Sequence, residues 1–376
     1  MFRVAIREFA RRSQRASEVE MTRVVLAGAG TAGHVEPALA VAHWLRANSP
    51  EIELIFLGTA EGVEVNLVPA AGFEFRLITK APFPRRINTG LLRWPTRFKK
   101  TLKQTEEAVQ GADLLIGFGG YVAAPAYVVA RRLGIPMIAH EANTKMGLAN
   151  KLAGRCGATV LRAFGSEDAD RVGIPLRSSI VSLSQLDSAQ RAALKKKALM
   201  DLNLDPSSPT ILIFGGSLGS VKFNETVAAA QREISGTGAQ IIHAVGAKNE
   251  LPQAQAGYLP MRYIEDMAGA YAASDLVISR SGAVTVAETG VLGIYSLYIP
   301  LPIGNGEQVE NAREVVAGGG GEILKNEEFT APWLTSNIAR LLEKAKQRRE
   351  SGEKIDFPLN ASEAIGLRSL KVLAHE

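Results

Sequence analysis

A histidine set among glycines is the first residue in this chain with an evident chemical use. In Gly28-Ala29-Gly30-Thr31-Ala32-Gly33-His34 an imidazole stands at the mouth of a G-x-G-x-x-G turn, where a group titrating near neutrality is suited to take or give a proton. Such a turn leaves backbone N–H groups unpaired at a helix start. Those groups and the helix dipole favour an anion, so a phosphate or dinucleotide cradle is the chemistry the spacing suggests first. A tight strand-to-helix turn with an incidental histidine is the plain alternative. A dinucleotide fold also wants an acid near the end of the next strand to bond a ribose hydroxyl, and the run Ile52 to Leu57 ends instead in Gly58-Thr59.

Other strand ends carry polar groups of the same kind. The loop Phe214-Gly215-Gly216-Ser217-Leu218-Gly219-Ser220 again separates an apolar run from a helical one; its glycines would let backbone approach a diphosphate, and the Ser217 hydroxyl would add a hydrogen bond. It reads otherwise as a packing turn. In Ile278-Ser279-Arg280-Ser281-Gly282 a helix opens, and Glu288 lies one to two turns inside it. The helix N-terminus can face a pyrophosphate while the carboxylate accepts from sugar hydroxyls; a solvated helical glutamate is the plain reading. His140-Glu141-Ala142-Asn143 presents three hydrogen-bonding side chains after an apolar run. Neighbours on a strand point to opposite faces and no second ligand pair is suitably spaced, so no metal site is expected there. Pro300-Leu301-Pro302 leads to Gly304-Asn305-Gly306-Glu307-Gln308 and Asn311, amides that can read sugar hydroxyls or cap a loop.

The elements that would position these groups alternate. Strands are expected at Val24–Ala27, Ile52–Leu57, Phe73–Ile78, Leu114–Gly117, Met137–His140 and Ala158–Leu161, with helices or loops between them, one running from Pro37 to Trp44. Such alternation makes a parallel sheet with helices on both faces. A polar stretch from Gly173 to Pro209 reads as irregular. Strands resume at Ile211–Phe214, Gln240–Ala244, Arg262–Ile264, Leu276–Ser279, Ser296–Ile299 and Glu322–Leu324. The pattern predicts an α/β chain of two Rossmann-like domains facing a central cleft, with ligands at the carboxyl ends of the strands. A last helix is expected over Ala361 to Leu373, with Asn360 as N-cap.

Composition bounds the partners. Of 376 residues, 46% are hydrophobic and 22% charged, which is ordinary for a globular chain of two to three domains and argues against disorder. Cys156 is the single cysteine, so there is no disulfide framework, and a reducing compartment fits. The longest uncharged run, Leu114 to Ala130, contains Gly117, Gly119, Gly120 and Pro125, which should break it into strand, turn and helix rather than a membrane span. Residues 1–20 are arginine-rich without the apolar core of a signal peptide; they read as a loose extension, with Met21 a possible alternative start. From Lys80 to Lys103 the cations Lys80, Arg85, Arg86, Arg93, Arg97, Lys99, Lys100 and Lys103 are interleaved with Phe83, Leu91, Leu92, Trp94 and Phe98 and with no acid. That mixture suits an anionic membrane surface, with nucleic acid as the rival partner and a solvated basic face as the plain reading.

Together these motifs resemble the MurG family, bacterial transferases that add N-acetylglucosamine to the lipid-linked muramyl-pentapeptide precursor of peptidoglycan. The likeness spans residues 21 to 350 and lies in motifs in one order: Gly30 to His34 with Pro37-Ala38-Leu39-Ala40, Gly119-Gly120-Tyr121, His140 to Asn143, Gly173-Ile174-Pro175-Leu176-Arg177, Gly215 to Gly219, Ser279 to Glu288, and Gln308 with Asn311. It implies a GT-B glycosyltransferase fold: an acceptor- and membrane-binding domain at 21–176, a donor-binding domain at 177–352, and a C-terminal helix, 353–376, crossing back to the first domain. It implies UDP-N-acetylglucosamine held by Ser217, Ile264, Ala283, Val284, Thr285, Val286, Ala287, Glu288 and Gln308. Glu288 matches the ribose-binding carboxylate, and Thr31, Ala32, Gly33, Asn143 and Arg177 contact the donor from the other side. It further implies a peripheral enzyme at the cytoplasmic face of the cell membrane, with no cofactor, no metal and no nucleic acid.

Five positions, in four motifs, depart from the family pattern. Ala29 and Ala32 replace glycines of G-G-T-G-G-H, Ala142 stands in H-E-Q-N, Ile174 in G-N-P, and Leu218 in G-G-S-Q-G. If Ala32 had to take a positive φ, it would be strained where glycine is not. The implied reaction is a single inverting displacement, with His34 as candidate base and helix N-termini stabilising the departing diphosphate. A UDP-N-acetylglucosamine 2-epimerase-like enzyme, a nicotinamide-dependent oxidoreductase and a non-catalytic membrane module are the rival readings.

Overall fold

Short runs rich in valine, isoleucine and leucine, such as Val24-Val25-Leu26 and Ile211-Leu212-Ile213, become strands buried on both faces, as a parallel sheet covered by helices requires. The structure, a computed structural model, describes residues 21–81, 89–165, 170–302 and 306–375, with backbone alone over 89–93. The chain forms two compact units: Met1–Arg177 joined by Pro358–Glu376, and Ser178–Phe357.

In the first unit the order is β1 (Arg23–Gly28), α1 (Ala32–Asn48), β2 (Glu53–Gly58), α2 (Glu64–Ala70), β3 (Glu74–Leu77), α3 (Thr89–Val109), β4 (Leu114–Gly119), α4 (Ala123–Leu133), β5 (Met137–Glu141), α5 (Leu148–Arg155) and β6 (Thr159–Arg162). The sheet runs β3-β2-β1-β4-β5-β6, every pair parallel. The chain starts in the middle, builds one half and returns to build the other, so the loops after β1 and β4 diverge at a topological switch point. Gly28 pairs with Gly119 there, across a shift in register.

In the second unit α6 (Ser178–Gln185) and α7 (Ser188–Asp201) precede β7 (Thr210–Phe214), α8 (Val221–Ser235), β8 (Gln240–Ala244), β9 (Tyr258–Met261), α9 (Met267–Ala273), β10 (Leu276–Ser279), α10 (Ala283–Leu292), β11 (Tyr295–Tyr298), α11 (Glu307–Ala317), β12 (Gly321–Ile323) and α12 (Ala331–Ser351). Its sheet, β12-β11-β10-β7-β8-β9, repeats the topology of the first, with the switch between β7 and β10. After Phe357 the chain rejoins the first unit, where α13 (Ala361–Leu373) lays Ile365 and Leu370 into the core and Gly366 under the ring of Trp44.

Several sequence expectations change here. The strand expected at Arg262–Ile264 lies at Tyr258–Met261, with Tyr258 buried and Pro260 tolerated because β9 is an edge. The polar stretch 173–209 holds α6 and α7. Helix α7 starts at a capping box in which Asp187 accepts from the Gln190 N–H at 2.8 Å and Gln190 from the Asp187 N–H at 3.0 Å. Asn360 precedes α13, but its side chain makes no capping bond. Ala32 is not strained: it is the first residue of α1, and among the described residues only Asn203 and His375 are non-glycines with positive φ. The run Leu114 to Ala130 divides into β4, a turn and the start of α4, and no helix among the described residues is long and apolar enough to cross a membrane. The extension 1–20, Phe83, Arg85, Arg86, Gly304 and Asn305, and the side chains of Leu91, Leu92 and Arg93, lie outside the described residues.

Candidate active site

His34 is the third residue of α1, at the head of the first unit's switch point. Its Nδ1 is 3.2 Å from Thr31 Oγ1, and its ring lies against the backbone of Gly119, the last residue of β4. A Cβ on Gly119 would stand 3.0 Å from Cδ2 and 3.2 Å from Nε2, and the local φ is +93°, so only glycine lets the imidazole sit there. Lost hydration lowers the pKa of His34 from its ordinary value, while Glu141, the Ala29 carbonyl and Glu64 oppose that shift. The ring is therefore neutral at neutral pH, with one nitrogen lone pair available to a proton.

The two carboxylates that face this imidazole are each held by a loop. Glu141, at the end of β5, accepts from Asn143 N at 2.9 Å and Asn143 Nδ2 at 3.1 Å on one oxygen, and from Gly147 N at 2.8 Å and Asn150 Nδ2 at 3.0 Å on the other. Asn150 in turn accepts from the Tyr127 hydroxyl at 3.0 Å. This buried network fixes both the backbone and the amide of Asn143. Thr31 is exposed; Ala32 and Gly33 are half-buried in the first turn of α1. Arg177 is paired with Glu36 of α1 at 2.8 Å. His140 does a different job from His34. It is buried, its Nε2 donates to the Gly173 carbonyl at 2.8 Å, and burial lowers its pKa.

In the second unit the loops after β7 and β10 occupy the corresponding place. Ser220 caps α8 by accepting from the Phe223 N–H and also accepts from Arg280 Nη2 at 3.2 Å. The buried Arg280 guanidinium donates to the carbonyls of Ile299 and Pro300 at 3.0 and 3.2 Å and to Asn326 Oδ1 at 2.8 Å, and stacks over Phe223. Among the described residues it has no carboxylate partner, so a net positive charge lies beneath the start of α8. Gly282 precedes α10, and Asn311, wholly buried, donates to the Ser281 carbonyl at 3.3 Å. Glu288 is not a solvated helical residue: it is 3% exposed and accepts from the Tyr271 hydroxyl at 3.0 Å.

The remaining expected donor residues fall on the same edge of the second sheet with different exposures. Ser217, Val284 and Thr285 are half-buried, Ala283 is buried, and Val286 and Ala287 pack inside the core. Ile264 is buried just after β9. Gln308 accepts from the Leu301 N–H at 2.9 Å, and so fastens the loop ahead of α11. Among the described residues no group of three His, Cys, Asp or Glu side chains is placed to hold a metal ion.

Comparison with known proteins joins these two edges to one family. Residues 24–161 match the glycosyltransferase family 28 N-terminal domain and residues 210–364 the family 28 C-terminal domain. A protein of Streptomyces coelicolor named UDP-N-acetylglucosamine--N-acetylmuramyl-(pentapeptide) pyrophosphoryl-undecaprenol N-acetylglucosamine transferase is 45% identical over 331 residues, covering 85% of this chain and 89% of its own. A protein of the same name from Corynebacterium efficiens is 45% identical over 326 residues, covering 86% and 89%. The chain belongs to the MurG family. The crystal structure of Acinetobacter baumannii MurG superposes with a TM-score of 0.63 at 27% identity, over 94% of this chain and 100% of that one. The two sheets are thus those of a GT-B glycosyltransferase, and this MurG-family chain is a hexosyltransferase.

Sequence reasoning did not single out Glu64, Arg280 or the Glu36–Arg177 pair. Glu64 sits in Glu61-Gly62-Val63-Glu64 and looks like any first-turn helical acid; only the preceding Gly62 hints at crowding. Arg280 stands among small residues at a strand end, and a cation in that setting is a signal of burial near a ligand edge that the motif reading passed over.

Proposed function

We propose that the protein transfers N-acetylglucosamine from UDP-N-acetylglucosamine to the C4 hydroxyl of undecaprenyl-pyrophosphoryl-N-acetylmuramyl-pentapeptide, with inversion at the anomeric carbon. The C4 oxygen forms the new bond to that carbon, the bond from the carbon to the UDP oxygen breaks, and the hydroxyl proton passes to His34. The observation that carries this reading is the neutral imidazole at the first switch point, wedged against Gly119 and faced by two carboxylates. Such a base can accept a proton and be stabilised as imidazolium by the same carboxylates. The names of the relatives support the substrates.

In this reading the second unit binds the donor. Ser217, Ile264, Ala283 to Glu288 and Gln308 hold it, with Glu288 on the ribose, while the starts of α8 and α10 and the charge of Arg280 stabilise the departing diphosphate. Thr31, Ala32, Gly33, Asn143 and Arg177 add donor contacts from the first unit. The deciding experiment incubates the protein with labelled UDP-N-acetylglucosamine and a lipid-linked muramyl-pentapeptide. Label in the lipid fraction with release of UDP is expected; UDP release without lipid labelling would favour an epimerase-like or hydrolytic enzyme.

The same reading makes the protein peripheral at the cytoplasmic face of the membrane. Helix α3 supports it: Thr101 and Gln104 fasten the helix to Thr79, while Arg97, Lys99, Lys100 and Lys103 are exposed beside the stacked rings of Trp94 and Phe98, 4.7 Å apart. With roughly 1 kcal/mol per cation near an anionic surface, replacing Lys99, Lys100 and Lys103 by serine should weaken sedimentation with phosphatidylglycerol vesicles on the order of a hundredfold. Unchanged sedimentation would remove α3 from the interface.

A further inference from the structure

Glu64 is wholly buried, and beyond its charge toward His34 the chemistry above gives its hydrogen bonds no role. Its carboxylate joins two loops of the first unit. One oxygen accepts from the Thr59 N–H at 3.0 Å and the Thr59 hydroxyl at 3.1 Å, just after β2; the other accepts from the Gly30 N–H at 2.8 Å, in the loop between β1 and α1, the helix whose third residue is His34. Burying a carboxylate is costly unless its lone pairs are filled, and here three donors from two segments fill them. The surroundings are shaped to the same end. A Cβ on Gly62 would stand 1.9 Å from a Glu64 oxygen, and one on Gly58 2.6 Å from Glu64 Cγ, so neither position tolerates a side chain while the carboxylate holds its place.

An ordinary structural glutamate would cap its own helix. Glu64 is the first residue of α2, yet its acceptor capacity goes to the Thr59 and Gly30 loops. Gly30, in the strand-end loop of this switch point, has the φ of +99° that only glycine adopts freely, so its own backbone preferences do little to hold it there. The carboxylate replaces that missing restraint and sets a negative charge toward the imidazole. Glu141 faces the same ring from β5 and is the other charge acting on it.

Resting on the transferase reading given above, we propose that Glu64 is a positioning residue for transfer: its carboxylate latches Gly30 to Thr59 and so fixes the loop that presents His34 to the acceptor hydroxyl. The latch acts chiefly on catalysis, because most of the donor contacts in that reading belong to the second unit and Thr31, Ala32 and Gly33 add only a part. Glutamine at this position has nearly the same volume, but loses the charge and one acceptor oxygen, turning an N–H toward a group that is itself a donor.

The test is Glu64→Gln in the full chain, measured three ways. Turnover should fall roughly 10- to 100-fold, the effect of displacing a catalytic group by a fraction of an ångström to an ångström, with a much smaller change in the KM for UDP-N-acetylglucosamine. The His34 imidazole, followed by nuclear magnetic resonance, should titrate at lower pH than in the wild type, because a charge that favoured its protonated form is gone. A merely structural glutamate would change the melting temperature without moving that titration. Wild-type kcat, or an unmoved His34 titration in folded protein, overturns the proposal. If Glu64→Gln does not fold, Thr59→Val decides, since it removes one donor and keeps the carboxylate: a fall in kcat that is several-fold and larger than any change in donor KM supports the latch, and wild-type kcat overturns it. The base assignment is tested separately by His34→Ala. Should that variant turn over normally, His34 is not the base, and the titration still shows whether Glu64 controls its loop.

Discussion

The two sheets have the same strand order and the same switch point, yet the charges gathered there are opposite. At the first, a neutral imidazole is faced by the carboxylates of Glu64 and Glu141; at the second, the Arg280 guanidinium lies under a glycine loop and, among the described residues, has only neutral partners. One backbone plan therefore supports two chemistries, and the side chains at the loop roots decide which. A carboxylate-lined imidazole suits proton removal from a hydroxyl. A buried cation beside two helix N-termini suits an accumulating negative charge.

On that division, substitutions at the first switch point's charges should act chiefly on turnover and those in the second unit chiefly on the donor. His34→Ala gives the largest expected effect, a fall in kcat of roughly 10²- to 10⁴-fold with donor KM little changed; steady-state kinetics with both substrates varied would expose the opposite pattern. Glu288→Gln should raise the KM for UDP-N-acetylglucosamine roughly ten- to a hundredfold, the weight of hydrogen bonds to a charged group, with a smaller change in kcat. Unaltered donor kinetics would sever Glu288 from the ribose.

Stability should also divide along the chain. His243 is buried on β8 beside the Tyr258 hydroxyl, and burial lowers its pKa from 6.5 to about 4. The folded value lies below the unfolded one, so the unfolded chain binds the extra proton. Its contribution is present above about pH 6.5 and is lost as the pH falls toward 4. Between pH 7 and pH 5 this amounts to about 2 kcal/mol, and urea midpoints should drop less steeply over that interval in His243→Phe than in the wild type. The smallest effect is expected from Arg280→Met, about a tenfold loss of UDP affinity by calorimetry, as for one charge acting through several ångströms of protein. A loss seen equally for uridine, which carries no phosphate, would show that the guanidinium shapes the loop rather than attracting the anion.

How far these sites were legible in the sequence depends on the kind of signal. The central strands were plain because a strand buried on both faces must be an apolar run, as in Val24-Val25-Leu26 and Leu276-Val277-Ile278. Helix α7 was hidden because its exposed side is lysine-rich and few of its residues are buried, so it carries little of the amphipathic period. At β9, the Tyr-Leu-Pro-Met run contains a proline that argues against a central strand and is harmless at an edge. His34 stood out because its loop is short and its chemistry local. Glu64 and Arg280 did not, since their roles rest on partners from separate segments, Gly30 and Thr59 for one and Ser220, Ile299 and Asn326 for the other. Glu288 was picked out in sequence, but its burial against Tyr271 is a tertiary fact.

Helix α13 gives the molecule a timetable. The core of the first unit is closed by Ile365 and Leu370 and by the seat of Trp44 on Gly366, residues that a ribosome reaches only after all of Ser178–Phe357. During synthesis the second unit can be whole while the first still shows an apolar strip along α1, the helix that carries His34. The helix that bears His34 is thus among the last parts of the protein to be finished, and a chain cut short before Ala361 would hold a complete second unit and an unsealed first one.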